Sequence, residues 1–134
     1  EHTLGKTLLE LTAVLLIVGI LAGLGITRYL RVGELTRANE AVSSLEQIYH
    51  GEMIYREEEN TFWPFAAVEN NIATINSKLR LTLQQQAQRN WDYSVTAPTA
   101  DTFIATATRT SGRNVGETIN INQGENIDKS GWTP

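Results

Sequence analysis

From Leu11 to Thr27 the chain carries no charged residue, and between Leu8 and Thr27 the only charge is Glu10. That is a run of about 20 residues, the length of helix that crosses a hydrocarbon layer ~30 Å thick. A helix that is apolar on every side is stable only inside a membrane or inside a core larger than itself. The chain has 134 residues, so once this run is set aside only one small core remains to be built. A carboxylate in hydrocarbon costs roughly 2.5–3.5 kcal/mol even on insertion scales. Glu10 therefore reads as a functional residue that needs a cationic partner. The plainer reading is a charge at the edge of a span, snorkelling to the headgroups.

The run is too long for the apolar part of a secretory signal peptide, and no small-x-small cleavage site closes it before Arg28. A formal net charge of −4 gives no reason to expect nucleic acid as a partner. The absence of cysteine excludes a disulfide framework, a thiolate metal site and covalently attached c-type haem. His2 and His50 lie too far apart in sequence to suggest a local ligand pair. With no nucleophile–base pair, phosphate-binding loop or metal motif, the chain does not read as an enzyme, and neither cofactor nor metal is expected.

Beyond Arg28 the pattern becomes amphipathic. Ala38, Ala41, Val42, Leu45, Ile48, Tyr49 and Met53 recur at spacings of three and four, which marks one face of a helix. A helix from Thr7 to about Glu58 is expected, stopped before Pro64. The aromatic cluster Phe62, Trp63 and Phe65 reads as a lid on the core. Ile72, Ile75, Leu79 and Leu83 predict a second, short helix over Ile72–Leu83. From Trp91 the period falls to two. The runs Trp91–Ala97, Phe103–Ala107 and Thr118–Asn122, separated by turn residues, predict an antiparallel meander. The fold class is α+β, a long N-terminal helix packed on a small antiparallel sheet. The tail has turn chemistry and one anchor, Trp132. Asn126, Asp128 and Ser130 could offer oxygens to calcium, but carboxylates are few there and no calcium-loop pattern is present; Asx turns explain them.

Gly19, Gly23 and Gly25 interrupt the apolar run, each costing about 1 kcal/mol against alanine in a helix. One reading is ordinary glycine usage in a spanning helix, with Gly19 and Gly23 spaced for close helix approach. The other is a weak stretch that unwinds when the segment leaves the bilayer.

The stretch GKTLLELTAVLLIVGILAGLGITRYL resembles the N-terminus of the type IV pilin superfamily, which includes pilins and the pseudopilins of type II secretion. The resemblance covers about the first third of the chain. It implies that a prepilin peptidase cuts after Gly5, that Lys6 becomes the methylated first mature residue, and that Glu10 is the family's glutamate at the fifth mature position. Gly19 then falls on the family's helix-breaking glycine. Lys6 departs from the family's usual Phe or Met, and Thr27 stands where the family has a helix-breaking proline. The stretch Glu1–Leu4 lacks the basic character of a usual leader. The implied organisation is a leader remnant at 1–5, a transmembrane and filament-core half of the helix at 6–27, and a globular domain with the outer half of the helix at 28–134.

The implied function is a structural subunit of a type IV pilus-like filament. It would be held in the bacterial inner membrane and then polymerised with copies of itself by the pilus assembly machinery into a surface fibre. Glu10 would attract the amine or side chain of Lys6 on a neighbour during assembly. The alternatives are a periplasmic type II secretion pseudopilin and, from another class, a membrane-anchored binding domain that never polymerises.

Overall fold

The computed structural model describes the backbone of residues 2–134 and the side chains of residues 7–26 and 28–134. The expectations at Glu1–Gly5, Lys6 and Thr27 lie outside the described side chains. Helix α1 runs from His2 to Glu59. The chain divides into two compact units, Glu1–Leu35 and Thr36–Pro134.

In the first unit the helix has no core of its own. The large apolar side chains from Leu8 to Ile26 are each 55–74% exposed. The most apolar window reaches a mean hydropathy of 2.4, and none of it is buried.

The second unit begins within α1 and holds the core. Ala38, Ala41, Leu45 and Ile48 are buried, while Val42, Tyr49 and Met53 pack partly against them, so the helical spacing read from sequence is the core face. Asn60 ends α1 in the left-handed conformation, φ 60°. Its N–H donates to Arg56 O at 2.8 Å, a cap that asparagine tolerates better than branched residues.

The sheet comprises β1 Val68–Glu69, β2 Trp91–Thr99, β3 Thr102–Arg109, β4 Thr118–Asn122 and β5 Ile127–Asp128. The five strands pair antiparallel in sequence order. The expected meander is its centre. The edges β1 and β5 are two residues each, too short to show a period. Register places Tyr93, Ala107 and Ile119 in one rank, and Val95, Ala105 and Ile121 in the next. All six are buried. Alanine on the central strand, between larger side chains on both neighbours, leaves room for a helix to lie across the sheet. The helix is tied there by Trp91 Nε1, which donates to Arg37 O at 2.8 Å, and by Asn90 Nδ2, which donates to Glu40 Oε2 at 3.0 Å. Pro98 sits at the irregularity between Thr96 and Thr99, where a missing donor does least harm.

Helix α2 spans Ile72–Leu79 and stops short of the expected Leu83. Asn71 caps its start, accepting from Ala73 N at 3.0 Å and Thr74 N at 3.4 Å. Arg80, at φ 58° and ψ 51°, turns the chain out of the helix. Leu83 is buried all the same, because the Asn76 side chain bridges to it. Leu83 N donates to Asn76 Oδ1 at 2.9 Å, and Asn76 Nδ2 donates to Leu83 O at 3.0 Å. Where α2 ends it presses on α1, and a Cβ at Gly51 would stand 3.0 Å from Leu79 Cβ and 3.1 Å from Leu79 O. The aromatic lid is also narrower than expected. Phe62 and Trp63 are buried, but Phe65 is 59% exposed. Phe62 instead packs edge-on against Phe103, with ring centroids 4.9 Å apart. Trp132 anchors the tail, as its position in sequence suggested.

Candidate assembly surface

The feature richest in functional implication is the first unit's helix. Its polar content is small. Thr12 Oγ1 donates back to Leu8 O at 2.8 Å, so this hydroxyl satisfies itself within the helix and asks nothing of lipid or partner. Glu10 is exposed, and among the described residues none forms an ion pair with it. The candidate processing and assembly residues Gly5 and Lys6 lie outside the described side chains. The helix runs unbroken through Gly19, Gly23 and Gly25, and a Cβ at any of them would meet nothing within 4 Å. Nothing among the described residues therefore requires these glycines.

The exposed apolar surface does not stop at the end of the uncharged run. Tyr29, Leu30, Val32 and Leu35 are 78%, 55%, 58% and 42% exposed. From Leu8 to Leu35 the helix rises about 42 Å at 1.5 Å per residue, against a hydrocarbon thickness of about 30 Å.

The second unit holds one buried carboxyl that the pattern analysis did not single out. Glu52 is fully buried. Its Oε2 accepts from Trp63 N at 2.9 Å, and its Oε1 has no partner. Burial pushes the group up to about 8, with the Trp63 N–H drawing it partly back. The same cause pushes Tyr93 up to about 12, eased by a hydrogen bond with Ser44. Glu52 fastens the post-helix loop to α1.

Two surface cavities are shallow and polar. One of about 330 Å³ is lined by Asn70, Asn71, Gln85 and Arg89, and another of about 220 Å³ by Glu40, Ser43, Ser44 and Gln47. Arg89 is engaged by Asp92 at 2.6 Å. In the tail, Asp128 Oδ1 accepts from Ser130 N at 2.8 Å, and Asn122 Oδ1 accepts from Gly124 N at 2.9 Å. These are Asx turns. The Ser130 hydroxyl and N–H hold the Asp128 carboxyl below its usual range. The triple Glu57–Glu59 is exposed, with Glu58 3.6 Å from Arg80.

No family model, curated protein or solved structure matches the chain.

Proposed function

We propose that the chain is a non-catalytic structural subunit of the pilin type. It is held in the inner membrane through α1 and polymerises with copies of itself through the apolar face of that helix. The observation that carries the proposal is the length of the exposed apolar surface. A plain anchor needs about 30 Å of it, whereas here it continues through Tyr29, Leu30, Val32 and Leu35. Contiguous apolar surface of that kind marks an interaction site. Copies of the same helix supply a matching surface along its whole length. The carboxylate of Glu10 adds a second support, because a helix that served only as an anchor would do better without it. In this reading prepilin peptidase acts between Gly5 and Lys6, and Glu10 draws a neighbour's cation into register.

Electron microscopy of cells producing the full chain tests the proposal. Filaments are expected, and none from a chain that begins at Arg28. Fibres that shear from the cell surface fit a pilus; short periplasmic ones fit a secretion pseudopilus. A full-length protein that stays in the membrane as a monomer overturns the filament reading.

A further inference from the structure

In the first unit the charged side chains described are Glu10, Arg28, Arg31 and Glu34. None of Glu10, Arg28 and Arg31 has an ion-pair partner among the described residues. The acid stands just before the uncharged run Leu11–Thr27 and the two guanidiniums just beyond it. Arg28 lies about five turns beyond Glu10, so both project from the same side of the helix, roughly 27 Å apart along it. Arg31 follows within one further turn and broadens the cationic end.

We propose that Arg28, supported by Arg31, receives the Glu10 carboxylate of a second copy that is parallel and displaced by ~27 Å along the helix. The proposal rests on the filament reading and names a partner for Glu10 within it. Copies inserted in one membrane share an orientation, so neighbouring helices are parallel. With no displacement, Glu10 faces Glu10 and Arg28 faces Arg28, and like charges oppose the contact. A displacement of ~27 Å brings carboxylate to guanidinium, a pairing that is bidentate and directional. An error of one helical turn moves the charges ~5.4 Å apart and forfeits the pair. The displacement is close to the hydrocarbon thickness of ~30 Å. A copy in this register has therefore drawn its carboxylate out of lipid to the interface, where the arginines of a copy still inserted lie. The apolar surfaces of the two copies then overlap over the remaining ~15 Å, and the rest of each is left to further copies.

The chain has no cysteine, so single cysteines report register without background. Val14 and Val32 are exposed and carry the same offset as Glu10 and Arg28 while leaving every charge in place. Full-length copies bearing Val14→Cys are co-produced with size-tagged copies bearing Val32→Cys and oxidised in membranes and in filaments. A mixed 14–32 disulfide is expected, with little 14–14 product. In parallel, Glu10→Arg should cut filament yield by about tenfold or more, and Arg28→Glu with Arg31→Glu in the same chain should restore most of it. Filaments that form without the 14–32 product, or that cross-link 14 to 14, overturn this register and leave the filament reading standing. Failure of the reversed charges to rescue also overturns it. Absence of filaments from the unaltered chain removes both.

Discussion

Replacing Glu52 with glutamine should change the sign of its effect on stability between acid and alkaline pH. In the folded chain burial pushes the Glu52 carboxyl from 4.5 up to about 8. A raised folded value means that the folded state favours the neutral acid. The stability associated with Glu52 is fully present below pH 4.5 and is lost progressively as pH rises through 8. At about 1.36 kcal/mol per unit the whole loss is on the order of 5 kcal/mol, much of the usual 5–15 kcal/mol of a domain. Glu52→Gln cannot ionise. Its amide oxygen can keep the bond from Trp63 N, but its NH₂ takes the place of Oε1, which has no partner. The neutral acid of the parent already leaves its O–H unmet there, and the amide adds one further unmet N–H, which costs about 1–3 kcal/mol. The variant should therefore be less stable than the parent by about 1–3 kcal/mol at pH 4.5, and more stable by roughly 2–4 kcal/mol at pH 8. Urea unfolding of both full-length proteins in detergent, followed by fluorescence of Trp63, Trp91 and Trp132, measures the difference at each pH. Other titrating groups are common to both proteins and cancel. Parallel stability–pH curves would refute the reasoning, because they would show that Glu52 is already ionised or hydrated in the fold.

Asn76→Ala removes both bonds that hold Leu83; a destabilisation of about 2–4 kcal/mol is expected in the same unfolding assay. Glu10→Ala should leave membrane insertion intact or improve it by up to a few kcal/mol, while filament yield falls; normal yield would remove the assembly role of this residue. The cation that Glu10 meets is separated by comparing Lys6→Ala with Arg28→Ala in the same filament assay, where the larger loss identifies it. Finally, the glycine stretch should lose helical hydrogen bonding between Gly19 and Thr27 once the subunit is in the polymer, since lipid no longer enforces it. Gly19→Ala with Gly23→Ala should oppose that loosening by about 2 kcal/mol; a filament structure with an unbroken helix in the parent chain would count against it.

The parts of this fold that repeat along the chain were readable, and the parts made by single side chains were not. The alternation of Trp91, Tyr93, Val95 and Ala97 announced a half-buried strand, and its register follows once Ala105 and Ala107 are seen to alternate too. The two-residue edges at Val68 and Ile127 carry no period. They exist because the central strands leave hydrogen-bonding groups to be met. Leu83 fell on the helical spacing of α2 by coincidence and is buried through Asn76 instead. Two polar residues carry a signal of the same kind. Glu52 continues the spacing of Leu45 and Ile48, and Asn76 that of Ile72 and Ile75, so each polar residue sits on a core face. Polar residues on an apolar stripe are buried only when something meets them. Here those partners are Trp63 N and the backbone of Leu83, both in irregular segments that no pattern locates. On the proposed assembly helix, sequence singles out Glu10 and the glycines. Exposure along the helix then extended the apolar surface to Leu35, past the arginines that had suggested its end.

If the filament reading holds, folding and assembly draw on different residues in this chain, and that separation follows from where burial is completed. The residues from Ala38 to Trp132 close a core within the second unit. The large apolar side chains from Leu8 to Leu35 are exposed and none belongs to that core; on the filament reading they meet other copies. Substitutions should divide accordingly. Glu52 and Asn76 set how stable the subunit is and leave its register in a filament alone. Substitutions at Glu10, Arg28 and Arg31 should change register and leave the unfolding midpoint of the domain where it was. Gly51 belongs with the first group and Gly19 with the second, although both are glycines in one helix: a Cβ at Gly51 meets Leu79, and a Cβ at Gly19 meets nothing. A charge reversal at Arg28 that lowered domain stability as much as it lowered filament yield would show that the two processes share their determinants after all.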